Sequence, residues 1–409
     1  MEELIREAKL GVDRSTVARH LTQLMALRRV ERLGKTRAAR YRLLGVARIR
    51  AHLTVPYAHR PPARYRREFL DRYVPGKTPF LSPGELAQLY TAGRVSIGNA
   101  PAGTYARRIY ERFMVDLSYA SSKLEGNTYN LLDTERLVRY GKELEGKDRK
   151  EAVMILNHKE AIRFLVDNLS LVTLSRKDLF DLHSLLADGL LVDPGQAGRL
   201  RRSPVNITGS SYTPLDVPYQ VEEEFDVLVK KLAAISEPFE QAFCLLVFLP
   251  YLQAFEDVNK RTSRVGANIP LLKNDLCPLS FITIDEHDYV DGTLGIYELN
   301  DVALLKQAFI EGYVRSAANY RDVRAEVDTV SVGALEYRSV VKSTVRTAVK
   351  DWKRIDDARL RAHLASAVKP EHLNEVLAHV KQELSGLHEG NLVRFGLTPQ
   401  DLHEFTSSK

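Results

Sequence analysis

Cysteine is nearly missing from this chain: 409 residues hold two, Cys244 in an apolar run and Cys277 beside a proline. They supply neither a disulfide framework nor a thiolate zinc site, and a reducing cytoplasm suits them. No apolar run reaches the ~18 residues of a membrane span, and the N-terminus is charged (Glu2, Glu3, Arg6, Glu7) where a secretory signal is apolar. The sequence therefore reads as a soluble, non-exported, cytoplasmic protein with no membrane partner. Low-complexity tracts are also lacking, and 44% hydrophobic with 27% charged residues is an ordinary globular balance. At roughly 100–200 residues per domain, the length implies two to four domains.

The formal net charge of +6 conceals an asymmetry. Residues 1–74 carry 16 Arg and 2 Lys against 7 acids, a net +11, which leaves −5 for the remainder. That end is the candidate for phosphate backbones, and DNA is its expected partner. Glu2 to Leu10 reads as a short helix, Gly11-Val12-Asp13 as a turn, and Arg14 to Val30 as a second helix with Val17, Leu21, Leu24 and Leu27 on one face. In a helix-turn-helix the second helix presents its early polar residues to base edges, here Arg14, Ser15, Thr16 and Arg19. Val30 to Leu33 and Ala39 to Leu43 alternate as strands around Gly34-Lys35-Thr36-Arg37, a basic hairpin with Lys35, Arg37 and Arg40 placed for phosphates. The order resembles a winged helix, which can also serve as a protein-docking module. A winged helix has one more helix ahead of these two; it is expected from elsewhere in the fold or from an upstream start.

Residues 51–83 contain Pro56, Pro61, Pro62, Pro75, Pro79 and Pro83 among arginines and read as a linker. Beyond it, residues 84–325 show repeated helical periodicity, so the class is mainly α. Within them an apolar helix (Phe243 to Leu249) runs into the polar loop Glu256 to Lys260, and a second helix begins with Arg261 and Arg264 one turn apart on one face. Backbone N–H groups at a helix start, backed by two arginines, make an anion site suited to phosphate. Asp257, just ahead, is placed to hold a Mg²⁺ on a polyphosphate, and Phe255 anchors the loop.

The run Gln253-Ala254-Phe255-Glu256-Asp257-Val258-Asn259-Lys260-Arg261-Thr262-Ser263-Arg264 resembles the signature of the Fic (Fido) family, His-x-Phe-x-Asp/Glu-Gly-Asn-Gly-Arg-x-x-Arg. Typical members transfer AMP from ATP to a hydroxyl of a target protein. Phe255, Asp257, Asn259, Arg261 and Arg264 match; Gln253 stands at the catalytic histidine, and Val258 and Lys260 at the two glycines. Ser121-Ser122-Lys123-Leu124-Glu125-Gly126 resembles the family's inhibitory helix, which implies that Glu125 pairs with Arg264 and blocks productive placement of the γ-phosphate. Val205 to Pro214, with Ile207, Thr208, Gly209 and Tyr212, resembles the hairpin flap on which targets dock by strand addition. Each segment has a plain reading alone, a solvated glutamate or a surface hairpin; their joint occurrence in family order carries the resemblance.

Glutamine has no pKa near neutrality, so Gln253 can orient a hydroxyl but cannot take its proton. Loss of a general base costs ~10²–10⁴ in rate. Asn-Lys-Arg also resembles the Doc branch, whose members transfer phosphate; Lys260 implies altered nucleotide placement there. Two functions stay open: an ATP- and Mg²⁺-binding regulator with impaired AMP transfer and a DNA-binding end, or an active, autoinhibited transferase using another proton acceptor. In residues 326–409, Val341, Val345, Val349, Trp352 and Ile355, and then Leu373, Leu377, Val380 and Leu384, fall at helical spacing as core or homodimer faces of a C-terminal helical module. The expected architecture is thus a winged helix-turn-helix (1–50), a linker (51–83), a Fic helical domain with a hairpin flap (84–325) and this module.

Overall fold

The computed structural model describes residues 13–27, 29–34, 40–94, 104–328, 337–354, 356–370 and 372–407. It is mainly helical, and contacts divide it into two units, Met1–Tyr320 and Arg321–Lys409. No described helix is long and apolar enough to cross a membrane.

The first unit begins with α1 (Arg14–Ala26), capped by Asp13, and the antiparallel pair β1 (Val30–Leu33) and β2 (Arg40–Leu43). Val17, Leu21 and Val30 form a small cluster with Leu24, Met25 and Tyr41. Lys35 and Arg37, at the tip of the sequence-predicted hairpin, and Glu2 to Leu10 lie outside the described residues. Helix α2 (Gly45–Leu53) follows and buries Ile49.

The linker expected over 51–83 is corrected by the structure. Prolines interrupt helices there, but they do not stop the apolar residues between them from burying: Ala63, Phe69, Leu70, Tyr73 and Leu81 belong to the main core. The segment forms β3 (Ala63–Arg64) and α3 (Arg67–Asp71), and Phe69 packs on Phe248 and Tyr251 with ring centroids 5.3 and 5.0 Å away. Glu240 accepts from the backbone N–H groups of Phe80 and Leu81 at 2.7 and 3.0 Å, sealing the end of the segment.

Helix α4 (Pro83–Gly93) starts on a capping box, in which Ser82 Oγ accepts from Glu85 N and Glu85 from Ser82 N, with proline at the first turn. Then come α5 (Thr104–Lys123), α6 (Leu131–Tyr140), α7 (Arg149–Asp167) and α8 (Arg176–Ala187). The flap segment also departs from expectation. Thr208 and Gly209 make a turn, but β4 (Tyr212–Thr213) pairs in parallel with β3, not with the residues before the turn. Ala63 N donates to Ser211 O at 3.1 Å and Tyr65 N to Thr213 O at 3.0 Å. Alternation in sequence identifies a strand; it does not name its partner.

Helices α9 (Pro218–Ala234), α10 (Pro238–Leu252), α11 (Asn259–Gly266), α12 (Asn268–Lys273), α13 (Glu286–Leu299) and α14 (Ala303–Asp328) follow. Helix α10 is apolar from Ala242 to Leu252 and buried at every residue but Gln241, as a helix apolar on nearly all sides must be. At Gly295 on α13 an added Cβ would lie 2.9 Å from Ile49, so a glycine allows α2 to lie against α13. Glu298, with no exposed side-chain surface, then ties the pieces together. It accepts from His52 Nε2 at 2.6 Å, Arg60 Nη1 at 3.1 Å, Ser210 Oγ at 2.8 Å and Ser211 N at 3.2 Å. Burial alone would push its carboxyl pKa up; these donors hold it below the usual carboxylate value.

In the second unit, α15 (Arg338–Thr347) continues into a π-helical turn (Ala348–Trp352) and is followed by α16 (Asp357–Ala365), α17 (Leu373–Ser385) and α18 (Pro399–Ser407). Val341, Val345 and Val349 meet Leu377, Val380 and Leu384 in one core. Both heptad-like rows are therefore internal faces; Ile355 lies outside the described residues.

Replacing Glu298 with alanine strands a guanidinium and an imidazole in a buried site. Its expected cost is about 3–5 kcal/mol in chemical denaturation, with earlier proteolysis within 51–66 than elsewhere in the first unit.

Candidate functional site

The site grows from the end of α10. Pro250 lies in the last turn of this helix, and Gln253 closes it in the left-handed conformation, φ 50°. The chain then turns through Ala254, Phe255, Glu256 and Asp257 to Val258, also left-handed at φ 64°, and enters α11 without a side-chain cap. A β-branched residue in that conformation is strained, and the surrounding bonds must hold it. Asn259 does so: its Oδ1 accepts from Phe255 N at 2.9 Å, and its Nδ2 donates to Phe255 O at 2.8 Å and to Gln253 Oε1 at 3.0 Å.

Gln253 is consequently a built-in part of the loop. Its Nε2 donates to Pro250 O at 2.8 Å and Tyr297 Oη at 3.2 Å while its Oε1 takes the Asn259 bond. Phe255 is fully buried and stacks on His183, centroids 3.9 Å apart and planes 12° apart. His183 Nδ1 accepts from Gly198 N at 2.9 Å, which puts the ring proton on Nε2, facing Asp257 O at 3.3 Å. Burial, reinforced by Arg261, brings this histidine down to about 4, so it is neutral at pH 7.

Helix α11 carries the cations. Arg264 has no exposed surface and reaches four groups: Nε donates to Ser121 Oγ at 2.9 Å, Nη2 to Ser121 O at 3.0 Å and Glu125 Oε1 at 2.6 Å, and Nη1 to Tyr289 Oη at 3.2 Å. Lys260 Nζ lies 3.0 Å from the other oxygen of Glu125. Burial pushes the Glu125 carboxyl up, but Arg264, Lys260 and Arg261 outweigh it and hold the pKa at about 2. Ser121 Oγ, which receives Arg264, contacts His158 Nε2 at 2.7 Å, and His158 Nδ1 contacts Met154 O at 2.8 Å. Burial, with Arg261 and Arg264 nearby, lowers His158 to about 3. Gly126 follows Glu125 at φ 87°, the turn that ends this stretch.

Arg261 differs from Arg264. Its side chain is 5% exposed and Nη2 reaches Asp257 Oδ2 at 3.2 Å, yet Nη1 is buried without a partner. A buried cationic donor left open beside an uncapped helix start is suited to an anion. Asp257 is 66% exposed, and its Oδ1 accepts from Val258 N at 2.6 Å. Among the described residues no group of three or more His, Cys, Asp or Glu is placed to hold a metal.

Gln253, Phe255, Asp257, Asn259, Lys260, Arg261, Arg264, Ser121 and Glu125 thus converge. In the flap segment Ile207 packs on the core, Thr208 and Gly209 are exposed, and Tyr212 is buried, its Oη donating to Tyr251 O at 2.7 Å. Tyr212 stacks on Tyr297, centroids 5.3 Å apart, which joins the segment to Gln253. In α1 the Ser15 and Thr16 hydroxyls donate to the Asp13 carboxylate at 2.6 and 2.9 Å, so they cap the helix; Arg19 is exposed, as is Arg40 on β2. The side chain of Arg14 is not among the described ones.

Sequence reasoning missed Tyr289, Tyr297, His158, His183 and Arg201. Arg201 is buried, donates to Gln253 O at 2.5 Å, Ser203 O at 3.0 Å and Leu215 O, and braces the loop against the flap segment. An arginine bound only to carbonyls leaves no signal of spacing or charge partner.

Residues 173–271 match the model of the Fic/DOC family. The chain carries a Fic/DOC family domain. Among curated proteins, the chain is 26% identical over 226 residues to protein adenylyltransferase fic-1 of Caenorhabditis elegans, covering 52% of this chain and 43% of that protein. It is 28% identical over 205 residues to protein adenylyltransferase Fic of Nematostella vectensis, 48% and 47% of the two chains, and 29% identical over 178 residues to that of Aedes aegypti, 42% and 35%. Through this domain the chain is related to protein adenylyltransferases, and it spans less than half the length of these relatives. Solved structures similar to it include C. elegans Fic-1 (TM-score 0.47, 23% identity, 58% of this chain and 71% of that one). A Fic family protein from Desulfovibrio desulfuricans G20 gives TM-score 0.47 at 18% identity, over 74% and 90%.

The Glu125 pKa gives an acid-stability test. A carboxyl held below its ordinary 4.5 stabilises the fold fully above that value, and the contribution fades as pH falls toward about 2. Between these limits the urea midpoint of the native protein is expected to fall more steeply than that of Glu125→Gln; parallel curves would show that the carboxylate is not held by Arg264 and Lys260.

Proposed function

We propose that the Fic/DOC domain binds Mg·ATP at the Phe255–Arg261 loop and the start of α11, with AMP transfer held back twice, by Glu125 and by Gln253. The carrying observation is the buried, unpartnered Nη1 of Arg261 beside the uncapped helix. When bound, ATP supplies the AMP group and Mg²⁺ neutralises its polyphosphate. Asp257 would offer Mg²⁺ one exposed carboxylate, a single protein ligand of the kind such an ion accepts beside a polyphosphate. Asn259 keeps the loop in shape and Arg261 binds phosphate.

Transfer joins a target hydroxyl oxygen to the α-phosphorus, breaks the bond to the β-phosphate and releases pyrophosphate, and the hydroxyl proton must go to an acceptor. Gln253 cannot take it, its amide being committed to Pro250, Tyr297 and Asn259. His158 and His183 are neutral, but their rings are engaged with Ser121, Met154, Asp257 and Gly198. Glu125 holds Arg264, the arginine that a γ-phosphate would otherwise engage. The reading is therefore a nucleotide-binding regulator with a slow transferase, and its N-terminal helix and hairpin contact DNA through Arg19 and Arg40. That reading draws on the charge of residues 1–74 and on the exposure of both arginines.

Isothermal calorimetry with Mg·ATP tests the nucleotide site. Arg261→Ala removes charge-assisted contacts worth roughly 1.5–3 kcal/mol and is expected to weaken binding by about one to two decades. Equal affinity in the two proteins would remove the phosphate role from Arg261.

A further inference from the structure

The charge asymmetry of the sequence resolves into two classes of arginine. Arg42, Arg48, Arg50, Arg60 and Arg67 are paired with carboxylates of the same chain: Glu31, Asp301, Asp288, Glu298 and Glu224, respectively. Arg42 pairs within the N-terminal segment, and the other four hold that segment to carboxylates beyond residue 74. Among the described residues no carboxylate pairs with Arg64, Arg66 or Arg72.

Arg64 ends β3, and Arg66 and Arg72 flank α3. Extended backbone sends alternate side chains to opposite sides. Tyr65 points inward, where its Oη meets Glu224 Oε2 at 2.8 Å and its ring lies 5.1 Å from that of Tyr251. Arg64 and Arg66, two residues apart, therefore share the outward side, and both are exposed. The strand is held firmly beneath them, by β4 on one edge and by Arg66 N donating to Tyr251 Oη at 2.8 Å.

Two clefts border this row. One, about 240 Å³, is lined by Arg48, His52, Arg64 and Arg66 with Tyr297 and Asn300. Its carboxylate, Glu298, is already saturated by four donors and sunk below the surface. The other, about 690 Å³ and wide open, is lined by Tyr65, Arg66, Arg67 and Arg72, with Glu68 as its one acid. Arg66 borders both, so they form a continuous track of cations over a rigid strand.

We infer that the track along Arg64, Arg66 and Arg72 is a docking surface for the phosphate backbone of duplex DNA. A row of exposed arginines spaced along one face fits a repeated anion better than a single enclosed ligand. The inference rests on the reading of the N-terminal segment as DNA-binding, and it assigns a large part of the phosphate contact to a surface that the helix and hairpin do not include.

The test is fluorescence anisotropy of the full chain with labelled mixed-sequence duplex DNA across a salt series, with inorganic triphosphate as the small-anion arm. Arg64→Ala with Arg66→Ala is expected to lower the slope of log K against log salt by about two, because each phosphate contact contributes ~0.9. Arg64→Lys with Arg66→Lys is expected to restore it, which a merely structural role would not do. Unchanged binding in the alanine pair, with loss in Arg19→Ala, overturns this surface and leaves the DNA reading standing. No binding by the native protein overturns both. Triphosphate that binds the track while DNA does not makes it a small-anion site and also overturns the inference.

Discussion

A carboxylate held between two cations at the edge of an apolar interior is the constraint on which this site is built. Glu125 meets Arg264 with one oxygen and Lys260 with the other, and Arg264 has no exposed surface at all. Dehydrating such ions costs several kcal/mol each, so the cluster persists only where every remaining donor is also satisfied. Ser121 and Tyr289 satisfy the rest of the guanidinium, and His158 in turn supports Ser121. Helix α5 is therefore fixed against α11 at the residues that surround the Gln253–Val258 loop. A phosphate that needs Arg264 competes with this whole network, not with one side chain.

The loop itself accepts residues that its backbone disfavours. Gln253 and Val258 both have positive φ, which a glycine would take more easily at 258. Asn259 offsets that strain by stapling the loop to itself, and Gln253 completes the staple. The same amide that fails as a base is thus well suited to hold the loop. Lys260, where a second glycine would leave space, adds the second arm of the Glu125 clamp.

Much of this site is legible in the linear sequence because its members sit at fixed spacing on one loop and helix: Phe255, Asp257, Asn259, Arg261 and Arg264. The long-range contact of Glu125 with Arg264 followed from family order, since nothing in periodicity places two residues 139 apart in sequence together. The prolines of 51–83 misled because composition reports the lack of long helices, whereas Phe69 and Tyr73 bury by tertiary contact. The flap strand was recognisable and its partner was not, since parallel pairing with β3 depends on where the chain returns. The +11 charge identified a basic segment but could not separate arginines paired internally from those left exposed.

The chemistry of the site turns on the division of labour between Glu125 and Gln253. Purified Glu125→Gly and the double variant Glu125→Gly with Gln253→His, each incubated with α-labelled and separately γ-labelled ATP, measure it directly. The α-label is expected on protein only with the double variant, because freeing Arg264 does not supply a proton acceptor. Robust α-label transfer by Glu125→Gly alone would contradict the account, since the amide would then not be the obstacle and another group would be taking the proton.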